Sequence, residues 1–141
     1  MTVRSASVIV ADSQSIYWYL LAPERLTSLA VGALESAEGE DGIMVSAWTV
    51  PELWLASSRK RGSKAIPLSA YELVRTTLLD PDTSIHVEPF SQRMWSHFEV
   101  ASSALRDPFD SAIVATARVL GVPLVSSDRA IGEAGLAQVI W

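Results

Sequence analysis

Residues 7–11, SVIVA, make a continuous apolar run dominated by β-branched side chains, and the run stops at once on Asp12. A strand with one face in water alternates apolar and polar side chains. A strand with no polar position must be covered on both faces, the condition of a parallel sheet packed between helices. Short runs of the same kind recur at 43–45, 85–87 and 124–125, with 139–140 as a last one. Segments with helical spacing lie between them: 15–21, 24–36, 49–61, 67–79, 92–103, 108–120 and the short 130–135. Gly62 is the expected stop of the segment starting at Thr49, and Gly121 with Pro123 that of the segment starting at Pro108. This alternation predicts an α/β fold, a three-layer α/β/α sandwich around a mostly parallel sheet of four to five strands.

A length of 141 residues suits one domain, read here as residues 1–141. The chain has no cysteine, which excludes disulfide scaffolds, zinc ribbons and thiol nucleophiles. His86 and His97 are expected on a strand and a helix, without the spacing of a histidine zinc site and without a catalytic role. The apolar runs fall far short of the ~20 residues that span a membrane. The N-terminal apolar run, 8–11, is too short for a signal peptide. The expectation is a soluble, cytoplasmic protein with no membrane partner.

In open α/β sheets, ligands collect beyond the carboxyl ends of the strands. Four acids fall there: Asp12 after the first strand, Glu52 in the first turn of the helix after the second, Asp110 in the first turn of the helix leading to the fourth, and Asp128 just past the fourth. Each also has a purely structural reading. Thr49-x-x-Glu52 matches a capping box. Asp107 and Asp128 can cap helices, Asp110 suits a helix dipole, and Asp12 can hold the turn out of its strand. Taken together, four converging carboxylates repel, and at least one has its pKa raised unless a cation neutralises them. The donors are oxygen only, which selects Mg²⁺ or Mn²⁺ over zinc.

Three stretches, VIVADSQSIYWYLL, VSAWTVPELWLAS and RDPFDSAIVATARVLGVPLVSSD, together resemble the PIN domain family, and within it the VapC-type toxin ribonucleases of type II toxin–antitoxin systems. The last stretch is the most specific: a DPFD box, an apolar helix, a Gly-x-Pro turn, an apolar strand and Ser-x-Asp. The resemblance implies a PIN-like sandwich and a Mg²⁺- or Mn²⁺-dependent endoribonuclease that hydrolyses RNA by in-line attack of an activated water. It places the family's four acids on Asp12, Glu52, Asp110 and Asp128, with Ser13 and Ser126 as supporting hydroxyls. Asp107 is assigned mainly to capping. Ser111 stands where many relatives carry Arg, a departure that removes one cation but touches none of the four acids.

Arg59, Lys60, Arg61 and Lys64 have two readings: cations at a helix C-terminus with Gly62 as its cap, or contacts to RNA phosphates. Tyr17, Trp18 and Trp54 are read as core packing or as a groove for a partner helix. The resemblance assigns such a groove to a cognate VapB-like antitoxin, and it also implies a homodimer. Trp48 is a candidate for stacking near RNA. The main rival function is a non-catalytic PIN-like module that binds RNA or protein. A phosphatase or receiver domain ranks below it, because the first strand ends Asp12-Ser13-Gln14 without Asp-x-Asp and neither Lys60 nor Lys64 follows a late strand.

The net charge of −5 argues at first against a nucleic-acid substrate. It decomposes, however. The four candidate acids and four more around one turn (Glu35, Glu38, Glu40, Asp41) leave eight acids against eleven basic residues.

Overall fold

The computed structural model describes residues 8–59, 62 and 64–141. In chain order the elements are β1 Ile9–Ala11, α1 Ser13–Leu21, a 3₁₀ turn Pro23–Arg25, α2 Ser28–Glu38, β2 Ile43–Ser46, α3 Thr49–Ser57 and α4 Leu68–Leu78. There follow β3 Ile85–Glu88, α5 Gln92–Ser102, α6 Pro108–Leu120, β4 Leu124–Val125, α7 Arg129–Ala134 and β5 Val139–Ile140. The five strands form one sheet in the order β3-β2-β1-β4-β5, and every neighbouring pair is parallel.

Side chains alternate across the sheet, and the register lines up like with like. Val10 sits opposite Met44 and Leu124, and all three join the cluster built on Ala101, Leu105, Ile113, Val114 and Ile131 from the α5–α7 side. Ile9, Ala11, Val45 and Ile85 point the other way, to Ile16, Leu34, Leu53, Val74 and Leu78 from α1–α4. Both faces of the sheet are therefore covered, as the unalternating strand sequences require. Helix α6 is buried from Ser111 to Ala117, its small residues allowing close approach to the sheet, and it ends on Gly121 in the left-handed conformation.

Two helix boundaries differ from the periodicity. The segment expected at 24–36 divides, because Leu26 is extended and the Thr27 hydroxyl caps α2 by accepting from the Ala30 N–H at 3.1 Å. Helix α3 stops at Ser57, short of Arg61. The Ser57 and Ser58 hydroxyls donate to the Trp54 carbonyl at 2.7 and 3.0 Å, competing with helix continuation. Gly62 consequently lies beyond the helix and is not its cap. His86 and His97 fall on β3 and α5 as expected. Among the described residues, no helix is long and apolar enough to cross a membrane.

Candidate active site

Strands β2 and β3 lie on one side of β1, while β4 and β5 lie on the other. The topology switches between β1 and β4, where open α/β sheets form a crevice at their carboxyl ends. Asp12 follows β1 directly, and Ser126 follows β4. The Asp12 N–H donates to the Val125 carbonyl at 3.1 Å. The Ser126 hydroxyl donates to the Asp12 carboxylate and accepts from the Asp128 N–H at 3.0 Å. One hydroxyl thus ties together acids from two strands.

Four helices begin at this edge. Asp12 caps α1, accepting from the Ser15 N–H at 2.8 Å; Asp107 caps α6 through Phe109 N–H at 2.8 Å; Asp128 caps α7 through Ile131 N–H at 3.1 Å. Glu52 and Asp110 occupy the first turns of α3 and α6. The capping readings of Asp12, Asp107 and Asp128 are therefore correct and compatible with a shared site, since the positive helix ends that attract the carboxylates all face one cavity. The capping box at Thr49 does not form. Trp48 precedes α3 without a side-chain cap, and Glu52 instead accepts from the Ser13 hydroxyl. Ser13 Oγ also lies 3.3 Å from Thr49 Oγ1. Because its one proton goes to Glu52, Thr49 is the donor in that second contact.

Glu52, Asp107 and Asp110 each bring a carboxylate oxygen within 4.8 Å of the others, while Asp12 and Asp128 line the same cavity. Burial pushes the Asp110 carboxyl up to about 7, and the charges of Asp107, Asp128, Glu52 and Asp12 add to it. Burial also raises Glu52, opposed by the Ser13 hydroxyl and by Lys64. Burial raises Asp12, opposed first by Ser126. These carboxylates resist ionising together, and their all-oxygen donor set fits a hard divalent cation.

The cavity measures about 830 Å³ and extends well past the acids. Tyr17 and Trp18 line it, as do Arg59 and Lys64; Lys60 and Arg61 lie outside the described residues. Trp54 does not face it. Leu53 and Leu55 line the wall, while the intervening Trp54 turns towards α4, where its ring packs 5.5 Å from Tyr71. Trp48 is also a packing residue, with its ring 5.6–5.9 Å from Phe90, Phe98 and Phe109. Ser111 is fully enclosed, its hydroxyl without a hydrogen-bond partner, so that position does not open onto the cavity. Sequence reasoning missed Arg25 and Arg106 in the lining and undervalued Asp107. Arg106 directly precedes the DPFD box, which was the available signal.

A parallel sheet with carboxylates gathered at its switch point defines an α/β domain with an acidic, oxygen-only site. The chain belongs to the PIN domain family, whose model matches residues 9–135. It is 33% identical over 129 residues to Ribonuclease VapC22 of Mycobacterium tuberculosis, covering 87% of this chain and 88% of that one. The fold is shared with VapBC2 from Rickettsia felis, solved bound to a promoter DNA fragment, at a TM-score of 0.66 and 12% identity over 94% of this chain and 96% of that one. It is also shared with FitAcB from Neisseria gonorrhoeae, at a TM-score of 0.60 and 22% identity over 93% and 95%. The PIN-like sandwich expected from the motifs is borne out.

Proposed function

We propose that this chain is a divalent-metal-dependent endoribonuclease and the toxin of a VapBC-type toxin–antitoxin pair. The observation that carries this reading is the gathering of Glu52, Asp107 and Asp110 within 4.8 Å in a cavity that Asp12 and Asp128 also line. The ribonuclease name of the 33%-identical relative supports it. Mg²⁺ or Mn²⁺ would be held by Asp12, Glu52, Asp110 and Asp128, with Asp107 added by its position. When bound, such an ion neutralises the acids, polarises a phosphodiester oxygen and eases ionisation of water.

The remaining work falls to the chain itself. Ser13 holds Glu52 and Ser126 holds Asp12, so neither carboxylate has to be ordered when substrate arrives. Arg59 and Lys64 take backbone phosphates on the cavity wall. A VapB-like antitoxin occupies the groove beside Tyr17 and Trp18. The unit is one domain over 1–141, acts as a homodimer and works in the cytoplasm. RNA cleavage by protein purified free of other nucleases tests the reading. Asp12→Asn and EDTA should each abolish cleavage, and an unchanged rate with either refutes the metal-dependent enzyme.

A further inference from the structure

The acids line one part of their cavity, and the rest of it differs in character. Gln14, Tyr17, Trp18 and Leu21 of α1 all line it. Spaced three and four residues apart, they make one stripe on one helix face. The stripe starts close to Asp12, which caps the same helix. Trp18 is five residues past Ser13, roughly 7.5 Å of helix rise, which one nucleotide can bridge. Its indole is half-buried and fixed: the Arg25 guanidinium lies 5.8 Å from the ring centroid, and the Trp141 ring packs at 6.0 Å. A site for a cation and water alone needs no such trough, and residues that served only the core would not border an open cavity. Arg25, Arg59, Lys64 and Arg106 on the same walls, with Glu24 as the one lining acid outside the acidic cluster, suit a polyanion. Aromatic rings set among cations are the combination that binds single-stranded nucleic acid.

We propose that the Tyr17–Trp18 stretch of α1, with the Arg25 guanidinium over the Trp18 ring, is a nucleobase subsite that stacks one unpaired base of the RNA next to the phosphodiester at the acids. The inference rests on the ribonuclease reading and deepens it. The subsite selects unpaired RNA, because a base held in a helix cannot enter the trough. It also makes RNA and a partner helix mutually exclusive occupants.

The test is fluorescence anisotropy with labelled 2′-O-methyl RNA oligonucleotides of one unpaired sequence, each lacking the base at a different position. Wild-type protein should lose roughly 5- to 100-fold in affinity when one particular base is missing. Trp18→Leu, which keeps apolar volume, should bind the intact oligonucleotide about as weakly as wild type binds the abasic one. Arg25→Gln, at an exposed position, should show a partial loss and decides the matter with the wild-type scan if Trp18→Leu does not fold. No measurable binding, equal affinity for every abasic oligonucleotide, or an abasic penalty that persists in full in both variants overturns the subsite. Loss of partner-helix binding in Trp18→Leu with RNA affinity unchanged also overturns it, leaving the trough as a protein-docking groove. Cleavage of unmodified RNA is followed in parallel. Cutting without a base-dependent step in affinity retains the nuclease and rejects the subsite, while base-dependent binding without cutting does the reverse.

Discussion

Ser13 has one hydroxyl proton and gives it to Glu52, with Thr49 behind it at 3.3 Å. Residues that orient a metal-site carboxylate typically contribute 10–100-fold to metal affinity or activity. Ser13→Ala should therefore lower RNA cleavage by about that factor and raise the Mn²⁺ concentration for half-maximal activity, with Ser13→Thr restoring both. The acids were legible in the sequence because strand ends and helix starts mark the carboxyl edge of a parallel sheet. The Ser13–Glu52 pairing was not, since Thr49-x-x-Glu52 reads identically whether the glutamate turns back to its helix or across to α1. Asp110 carries a second prediction. Its carboxyl, at about 7 when folded, lies above the 3.8 of the unstructured group, so the folded state binds the extra proton between those values. This contribution is complete below 3.8 and is lost as pH rises through about 7. Metal-free protein should melt at a lower temperature at pH 8 than at pH 5, and Asp110→Asn should flatten that dependence. Added Mg²⁺ or Mn²⁺ should raise the melting temperature more at pH 8. A wild-type profile that rises with pH over this range would sink the assignment.

The order and type of the elements followed from the sequence because unalternating β-branched runs and apolar helices admit few other arrangements. Their ends were less legible where hydroxyls intervene: Thr27 restarts a helix, and Ser57 and Ser58 end one. Glycines separate two kinds of turn. Gly121, at φ +66, has open space where a Cβ would go, so Gly121→Ala should cost only the left-handed conformation, about 1–2 kcal/mol. Gly42, at φ +106 between α2 and β2, would in addition place a Cβ 2.8 Å from the Ser84 carbonyl oxygen. That oxygen is engaged, accepting from the Ile43 N–H at 2.9 Å across the entry to β2 and β3. Gly42→Ala should therefore destabilise the protein by clearly more than Gly121→Ala. Urea midpoints compared at unchanged slope measure the difference, and equal midpoints would mean that the backbone there yields without cost.

For the whole molecule, a net charge of −5 averages over an uneven distribution of acids and bases. With Asp107 and Glu24 joining Asp12, Glu52, Asp110 and Asp128, six of the sixteen acids line one cavity, and a divalent cation bound there would offset much of the charge of the clustered five. Arg25, Arg59, Lys64 and Arg106 stand on its walls, drawn from the turn after α1, the segment after α3 and the residue before the Asp107 cap of α6. The charge run at 59–64 was visible in the sequence and Arg106 stands directly before the DPFD box, whereas Arg25 carries no such mark, because only the fold brings the three segments to one rim. Cations on phosphates release counterions, and for single strands each contact steepens the fall of affinity with salt by about 0.7 in the log–log slope. Replacing Arg59, Lys64 and Arg106 together with Gln should therefore make the slope shallower by roughly 2 if each holds one phosphate. The variant should weaken binding to all sequences alike, since phosphate contacts carry no base information. Melting temperature should change little, because all three side chains are exposed. Titration of one unpaired RNA from low to moderate salt, with Mg²⁺ held constant, gives the slope directly. An unchanged slope with weakened binding would mean that these cations act by balancing the neighbouring acids rather than by touching RNA.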